Sequence, residues 1–226
     1  MDFLLTGKYR ILSSMRLYLS SHGIGDHVET LHEMVGDNKK VLYIDNAKDD
    51  LPEQERAQHV AEKHAEFEKH GFEFYELDLR KYIGKTELLS KIITSAGLIW
   101  SGGGNTFLLR RAMKYSGLDT LLVNGLKADA FVYGGSSAGS IVMTKTLHGV
   151  EMEDDPYVVP AGYEEEIIWS GLGVIYPQLV PHFESEYFGE SAQAMVDYFE
   201  ENGLKYTTIK DGEVYVVNGQ FEERLG

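Results

Sequence analysis

The chain is predicted to fold as an α/β protein, with a doubly wound, mostly parallel sheet that carries helices on both faces. Two observations carry that expectation. Short apolar runs alternate along the chain with helical patterns of about ten residues or more, the signature of βαβ crossovers that cover a parallel sheet on both sides. In addition, the run Ala130-Phe131-Val132-Tyr133 breaks at Gly134-Gly135, passes through a small-residue cluster, and turns into a helical pattern at Ile141-Val142-Met143. That succession reads as strand, sharp turn and helix.

The first clean strand pattern is Arg16-Leu17-Tyr18-Leu19-Ser20, closed by Ser21-His22-Gly23. Residues 1–14 before it are expected to be a leader, a tag or the product of an upstream start, and residues 15–226 to form a single α/β domain. A short helix is expected over 28–35 and a buried strand over 40–45, bounded by Asn38 and Asn46. Residues 52–70 form a charged amphipathic pattern with Pro52 at its start and Gly71 just past its end, where helices favour those residues. Then follow a strand over 72–77, a helix over 86–96, a strand over 98–101 and a helix over 105–115 stopped by Gly117. Beyond the 130–143 unit come an acidic stretch over 151–155, an apolar run over 174–180 and a helix over 185–202. The chain is expected to close in a hairpin, with strands 206–210 and 213–217 joined at Asp211-Gly212.

Composition narrows the function classes. A chain of 226 residues with 43% apolar content can bury a sizeable core. Its formal charge of −15, with no Lys/Arg-rich run, argues against nucleic acid or an anionic membrane as partner. The absence of cysteine excludes disulfides, thiolate nucleophiles and cysteine metal sites, and it suits a reducing cytoplasm, the expected location. No apolar stretch reaches membrane-span length.

Gly135-Ser136-Ser137-Ala138-Gly139 fits G-x-S-x-G, in which small flanking residues permit a tight, strained turn that lifts a serine hydroxyl above the sheet. Ser137 is therefore the candidate nucleophile, placed at a helix N-terminus whose free N–H groups favour an oxyanion. Open parallel sheets bind ligands at the carboxyl ends of their strands, which singles out a second stretch, Ser101-Gly102-Gly103-Gly104-Asn105-Thr106. It is neither a dinucleotide fingerprint nor a phosphate-binding P-loop. Gly104 and Ala138 are the candidate oxyanion donors. Small residues between a strand and a helix also have an ordinary packing explanation, so the serine needs partners. Of eight histidines, His59, His64 and His70 lie on the charged helix, His22, His27 and His32 follow the first strand, and His148 follows the turn helix. His182 ends the apolar run Leu179-Val180-Pro181 and so falls at the same sheet edge as Ser137. Asp211, Glu184 and Asp154 are the carboxylates that could orient an imidazole.

In that order, Ser101-Gly102-Gly103-Gly104-Asn105-Thr106-Phe107-Leu108-Leu109, then Gly135-Ser136-Ser137-Ala138-Gly139, then Pro181-His182-Phe183 resemble the peptidase E (dipeptidase E, S51) family of serine peptidases. The resemblance covers most of the chain from Met15 onward. It implies a class I glutamine amidotransferase-like fold with serine in place of cysteine. By the same resemblance Ser137 is the nucleophile, His182 the base, and Gly104 with Ala138 the oxyanion hole. It ranks Asp211 first as the acid, where the family carries glutamate. Glu184 comes second, by the H-x-E pattern of amidotransferase relatives, and Asp154 third. A short peptide cleaved near its N-terminus is the implied substrate, and no metal or organic cofactor is called for. Two departures bear on specificity. Ser136 stands where typical dipeptidases have tryptophan, as in cyanophycinase-like relatives, and Ala192 falls roughly where the family's arginine is expected, so strict Asp-X specificity does not carry over. The alternatives are a cyanophycinase-like isopeptide hydrolase and a catalytically silent binding protein on the same fold. Either a monomer or a homodimer fits.

Overall fold

Strands β1 (Arg16–Ser20), β2 (Lys40–Ile44), β3 (Glu73–Glu76), β4 (Leu98–Ser101) and β5 (Val132–Ser136) lie parallel in the order β3-β2-β4-β5-β1. The structure is a computed structural model that describes residues 15–226; the expected extension over 1–14 lies outside the described residues. β6 (Gln178–Val180) and β7 (Tyr206–Thr208) pair in a separate two-stranded parallel sheet. β8 (Val214–Asn218) returns to the large sheet antiparallel to β1, and β9 (Phe221–Leu225) pairs antiparallel with β8.

Because side chains alternate across a strand, β1, β2, β4 and β5 each feed two cores. Leu17, Leu19, Leu42, Ile44 and Ile99 face one side, while Tyr18, Val41, Tyr43, Leu98 and Trp100 face the other. On the second face lie α1 (Val28–Val35) and α2 (Glu53–Lys69), through Leu31 and Phe67 among others. The first face receives α3 (Thr86–Ile93), α4 (Thr106–Ser116) and α5 (Leu118–Lys127), through Leu89, Leu109 and Leu122. The predicted double cover of a mostly parallel sheet is thus what forms. Each fully buried Leu, Ile or Phe contributes about 1.5–3 kcal/mol. A third cluster gathers Phe107, Ile141 and Val180 with Met195 and Phe199, joining α6 (Ala138–Ile141) and α7 (Gly189–Glu201). Leu179 and Ile209, on either strand of the small sheet or just past it, belong instead to the first core and dock the small sheet onto the large one.

Four expectations are corrected. The C-terminal hairpin does not join 206–210 to 213–217: β7 pairs with β6 and β8 with β1, and the hairpin that forms is β8–β9, turning at Gly219 with φ 65°. The Asp-Gly pair marks a crossing between sheets. Helix α5 was not expected, because Gly117 reads as a stop; in its left-handed conformation, φ 78°, it both caps α4 and starts α5. The helix after Ser137 is a single turn, and the strand within 174–180 covers only Gln178–Val180. No helix among the described residues is long and apolar enough to cross a membrane.

Candidate active site

β5 ends at Ser136 and α6 begins at Ala138, so Ser137 alone makes the turn, with φ 50° and ψ −112°. A non-glycine residue held there stores on the order of 1–3 kcal/mol of strain and persists only where its surroundings fix it. They do so through the backbone. The Ser137 N–H donates to the Ser20 carbonyl of β1 at 3.2 Å, and the Ser140 and Ile141 N–H groups donate to the Ser137 carbonyl at 2.8 and 2.9 Å. The motif's glycines are demanded by close approach. A Cβ on Gly135 would stand 2.4 Å from the Gly139 carbonyl oxygen, and one on Gly139 would stand 2.0 Å from that of Ser101. Turn and β4 therefore pack backbone against backbone. This carries the glycine run after β4 up to the serine, and a Cβ on Gly103 would stand 3.1 Å from that of Ser137.

Gly104 has φ 137°, and the next residue, Asn105, caps α4 by accepting from the Phe107 and Leu108 N–H groups at 2.9 and 3.2 Å. Among the described residues the Gly104 and Ala138 N–H groups have no acceptor within the protein. Two unspent donors thus flank the Ser137 turn.

His182 leaves β6 with φ 58° and is buried. Its backbone N–H donates to the Ser21 hydroxyl at 2.7 Å, and its Nδ1 lies 2.7 Å from Asp211 Oδ1. The Ser21 hydroxyl in turn donates to the same Oδ1 at 2.7 Å. One serine at the end of β1 therefore ties the histidine backbone to the carboxylate that holds its ring. Burial pushes the His182 imidazole below its ordinary value, Asp211 opposes this, and the nearby His22 adds to it. Burial raises the Asp211 carboxyl, but hydrogen bonds from Ser21 and His182 outweigh that and leave it below the usual carboxylate range.

Ser137, His182, Gly103 and Gly104 line one cleft of about 340 Å³, with His22 and Phe188 beside them. The Phe188 ring lies 4.9 Å and the His22 ring 6.0 Å from that of His182. The other candidate acids take different partners. Glu184, exposed and in the left-handed region with φ 61°, pairs with Lys210. Asp154 lines the cleft but accepts from the Thr106 N–H at 2.8 Å, at the start of α4. Burial lifts its carboxyl to about 6 and that of Glu153, which accepts from the Ser191 hydroxyl at 3.0 Å, to about 7. Ala192 is fully buried among the apolar residues of α7. Among the described residues no group of three His, Asp or Glu side chains is placed to hold a metal ion. A larger groove of about 520 Å³ on the α2 side is lined by Arg56, Glu76, Asp78 and Arg80, whose charges pair with one another.

Sequence reasoning did not single out Ser21, Lys48, Glu153 or Phe188. The one available signal was positional: Ser21 and His22 follow the first strand directly, at the edge where ligands bind.

A family model for peptidase family S51 matches residues 17–223. The chain is 28% identical over 133 residues to a peptidase E of Streptomyces coelicolor, an alignment covering 56% of this chain and 51% of that protein. It is 27% identical over 157 residues to an uncharacterised peptidase of Listeria innocua, covering 68% and 69%. The alignment thus spans about half the length of the first of these relatives. A crystal structure of a candidate peptidase E from Listeria monocytogenes superposes with a TM-score of 0.75 at 20% identity, over 93% of this chain and 98% of that one. A peptidase from an acI-B1 actinobacterium gives 0.66 at 16% identity, over 96% of each chain. These structural likenesses speak for the fold. The family match runs from β1 into β9 and encloses the Ser137 turn, the glycine run after β4 and the His182–Asp211 pair: the chain belongs to peptidase family S51.

Proposed function

We propose that the protein is a serine-type peptidase that hydrolyses short peptides near their N-terminus. The observation that supports this most strongly is the pairing, in one cleft, of a strained serine at a helix N-terminus with a buried histidine whose Nδ1 is held by Asp211. With Nδ1 so engaged, Nε2 is the ring atom that takes the Ser137 proton as Oγ attacks the scissile carbonyl. The Gly104 and Ala138 N–H groups receive the oxyanion. His182 then gives its proton to the leaving amine, and water, activated by the same ring, hydrolyses the acyl-enzyme. Asp211 keeps the ring oriented and stabilises the imidazolium that forms. A small, partly enclosed cleft suits a short peptide rather than a folded protein, and the cysteine-free composition fits work in a reducing cytoplasm.

Treatment with a fluorophosphonate probe followed by mass spectrometry is expected to modify Ser137 and no other serine, and modification is expected to vanish in His182→Ala. A folded protein that resists a panel of such probes of decreasing size would favour the silent binding protein instead.

The base must be neutral to accept the serine proton, and burial holds the His182 ring below its ordinary 6.5. Protonation therefore removes activity only as the pH falls through a value under 6.5. The acid limb of kcat/KM, which reports groups of the free enzyme, is expected to lie below 6.5; a limb above 7 would contradict this account of the base.

A further inference from the structure

Lys48 ends the short 3₁₀ turn Asn46–Lys48 that follows β2, and this turn carries it from the carboxyl edge of the sheet into the wall of the Ser137 cleft. Its side chain is half-buried, and its Nζ donates to the Gly103 carbonyl. A lysine ammonium has three N–H donors. Among the described residues, no carboxylate lies within ion-pair reach of this one, and Gly103 is its hydrogen-bond acceptor. The neighbouring cleft lysine is spent differently, since Lys63 pairs with Glu66 at 2.8 Å. A partly desolvated cation with unspent donors gains when an anion meets it; desolvation holds the Lys48 ammonium below the usual lysine range, helped by Lys63 and partly opposed by the more distant charges of Asp45, Asp50 and Asp154.

Position gives this cation a use. Gly103, whose carbonyl it holds, is the residue packed against Ser137. An anion on Lys48 therefore lies within about one residue of the bond to be cut. The cleft also presents Glu153 and Asp154, whose ionised forms suit an ammonium and whose burial favours the neutral acids. We infer that Lys48 is the anion receptor of the cleft, binding a carboxylate of the peptide beside the Gly103–Gly104 turn. This rests on the peptidase reading and names the residue that selects its substrates. Two carboxylates have the required chemistry: the side chain of an acidic residue at the cut, and the C-terminal carboxylate of the residue after it.

Binding is measured in a protein that cannot turn over, Ser137→Ala, by calorimetry with four dipeptides: Asp-Leu, Asn-Leu and the C-terminal amide of each. Adding Lys48→Met is expected to weaken the peptides that carry the recognised carboxylate by about 10- to 100-fold, the scale of a hydrogen bond to a charged group. The peptide lacking both carboxylates is expected to bind the two proteins alike. The Asp/Asn contrast identifies the side chain as the source, and the acid/amide contrast the C-terminus. Lys48→Arg, which keeps the charge, is expected to retain the discrimination, and thermal melts check that both variants fold. An equal loss for all four peptides would mark Lys48 as a prop for the Gly103 peptide, and this result, no loss for any, or no binding of any peptide, overturns the inference. Labelling of Ser137 is read separately: probe modification together with peptides indifferent to Lys48 sinks this inference and leaves the hydrolase standing.

Discussion

Replacing Ser137 by alanine is expected to lower kcat on a peptide substrate by on the order of 10⁵- to 10⁶-fold, and His182→Ala by a similar factor. The double variant should lose no more than either single one. Nucleophile and base act as a unit, so once the serine is gone the imidazole has no Oγ proton to take, and its removal has nothing left to impair. What survives comes from binding and from the Gly104 and Ala138 N–H groups, which neither substitution touches. Initial rates of the three variants with one peptide test this. A loss below tenfold in Ser137→Ala, or losses that multiply in the double variant, would mean that another group attacks the substrate.

The second large effect is expected at Asp211. Asparagine there keeps the shape but removes the charge that stabilises the imidazolium, and its amide can present a donor to Nδ1 and stabilise the wrong tautomer. A fall of about 10⁴-fold in kcat follows from that logic. Glu184→Gln is the contrast. Glu184 spends its carboxylate on exposed Lys210, an ion pair of the kind worth roughly 0–1 kcal/mol, and kcat is expected to change by less than about threefold. Measuring the two variants side by side decides between the acids, because a larger loss at Glu184 would reverse the assignment.

The large sheet was legible in the sequence because its cause is local: each strand announces itself by apolar content and each crossover by its helical period. What escaped was non-local. The Asp211-Gly212 pair carries a strong turn signal, yet strand pairing is chosen by whichever edge lies nearby, and for 214–218 that edge is β1. Gly117 was read as an ending because a left-handed glycine stops a helix; nothing in the sequence tells whether another starts at once. The same division holds at the site. Ser137 and His182 stand where strand patterns break, so the sequence points to them. Asp211 meets His182 across 29 positions, and Glu184, two residues away and ranked second, lies where the left-handed backbone at His182 and Glu184 pairs it with Lys210. Ser21 and Lys48 are ordinary residues in ordinary patterns, and only proximity gives them a role.

His182 hangs from the small sheet, Ser137 rises from the large one, and Asp211 sits on the link that runs from β7 to β8. The candidate base and nucleophile therefore hang from different sheets, and their alignment depends on how the small sheet docks onto the large one. A fluctuation that loosens Leu179 and Ile209 from the core layer they share with the large sheet is expected to move His182 relative to Ser137 while the opposite layer, around Trp100 and Phe67, stays packed. Local openings of this kind lie well below global unfolding in free energy. The geometry of the candidate site is then sensitive to the packing of Leu179 and Ile209 in the core, separately from the stability of the sheet that carries Ser137.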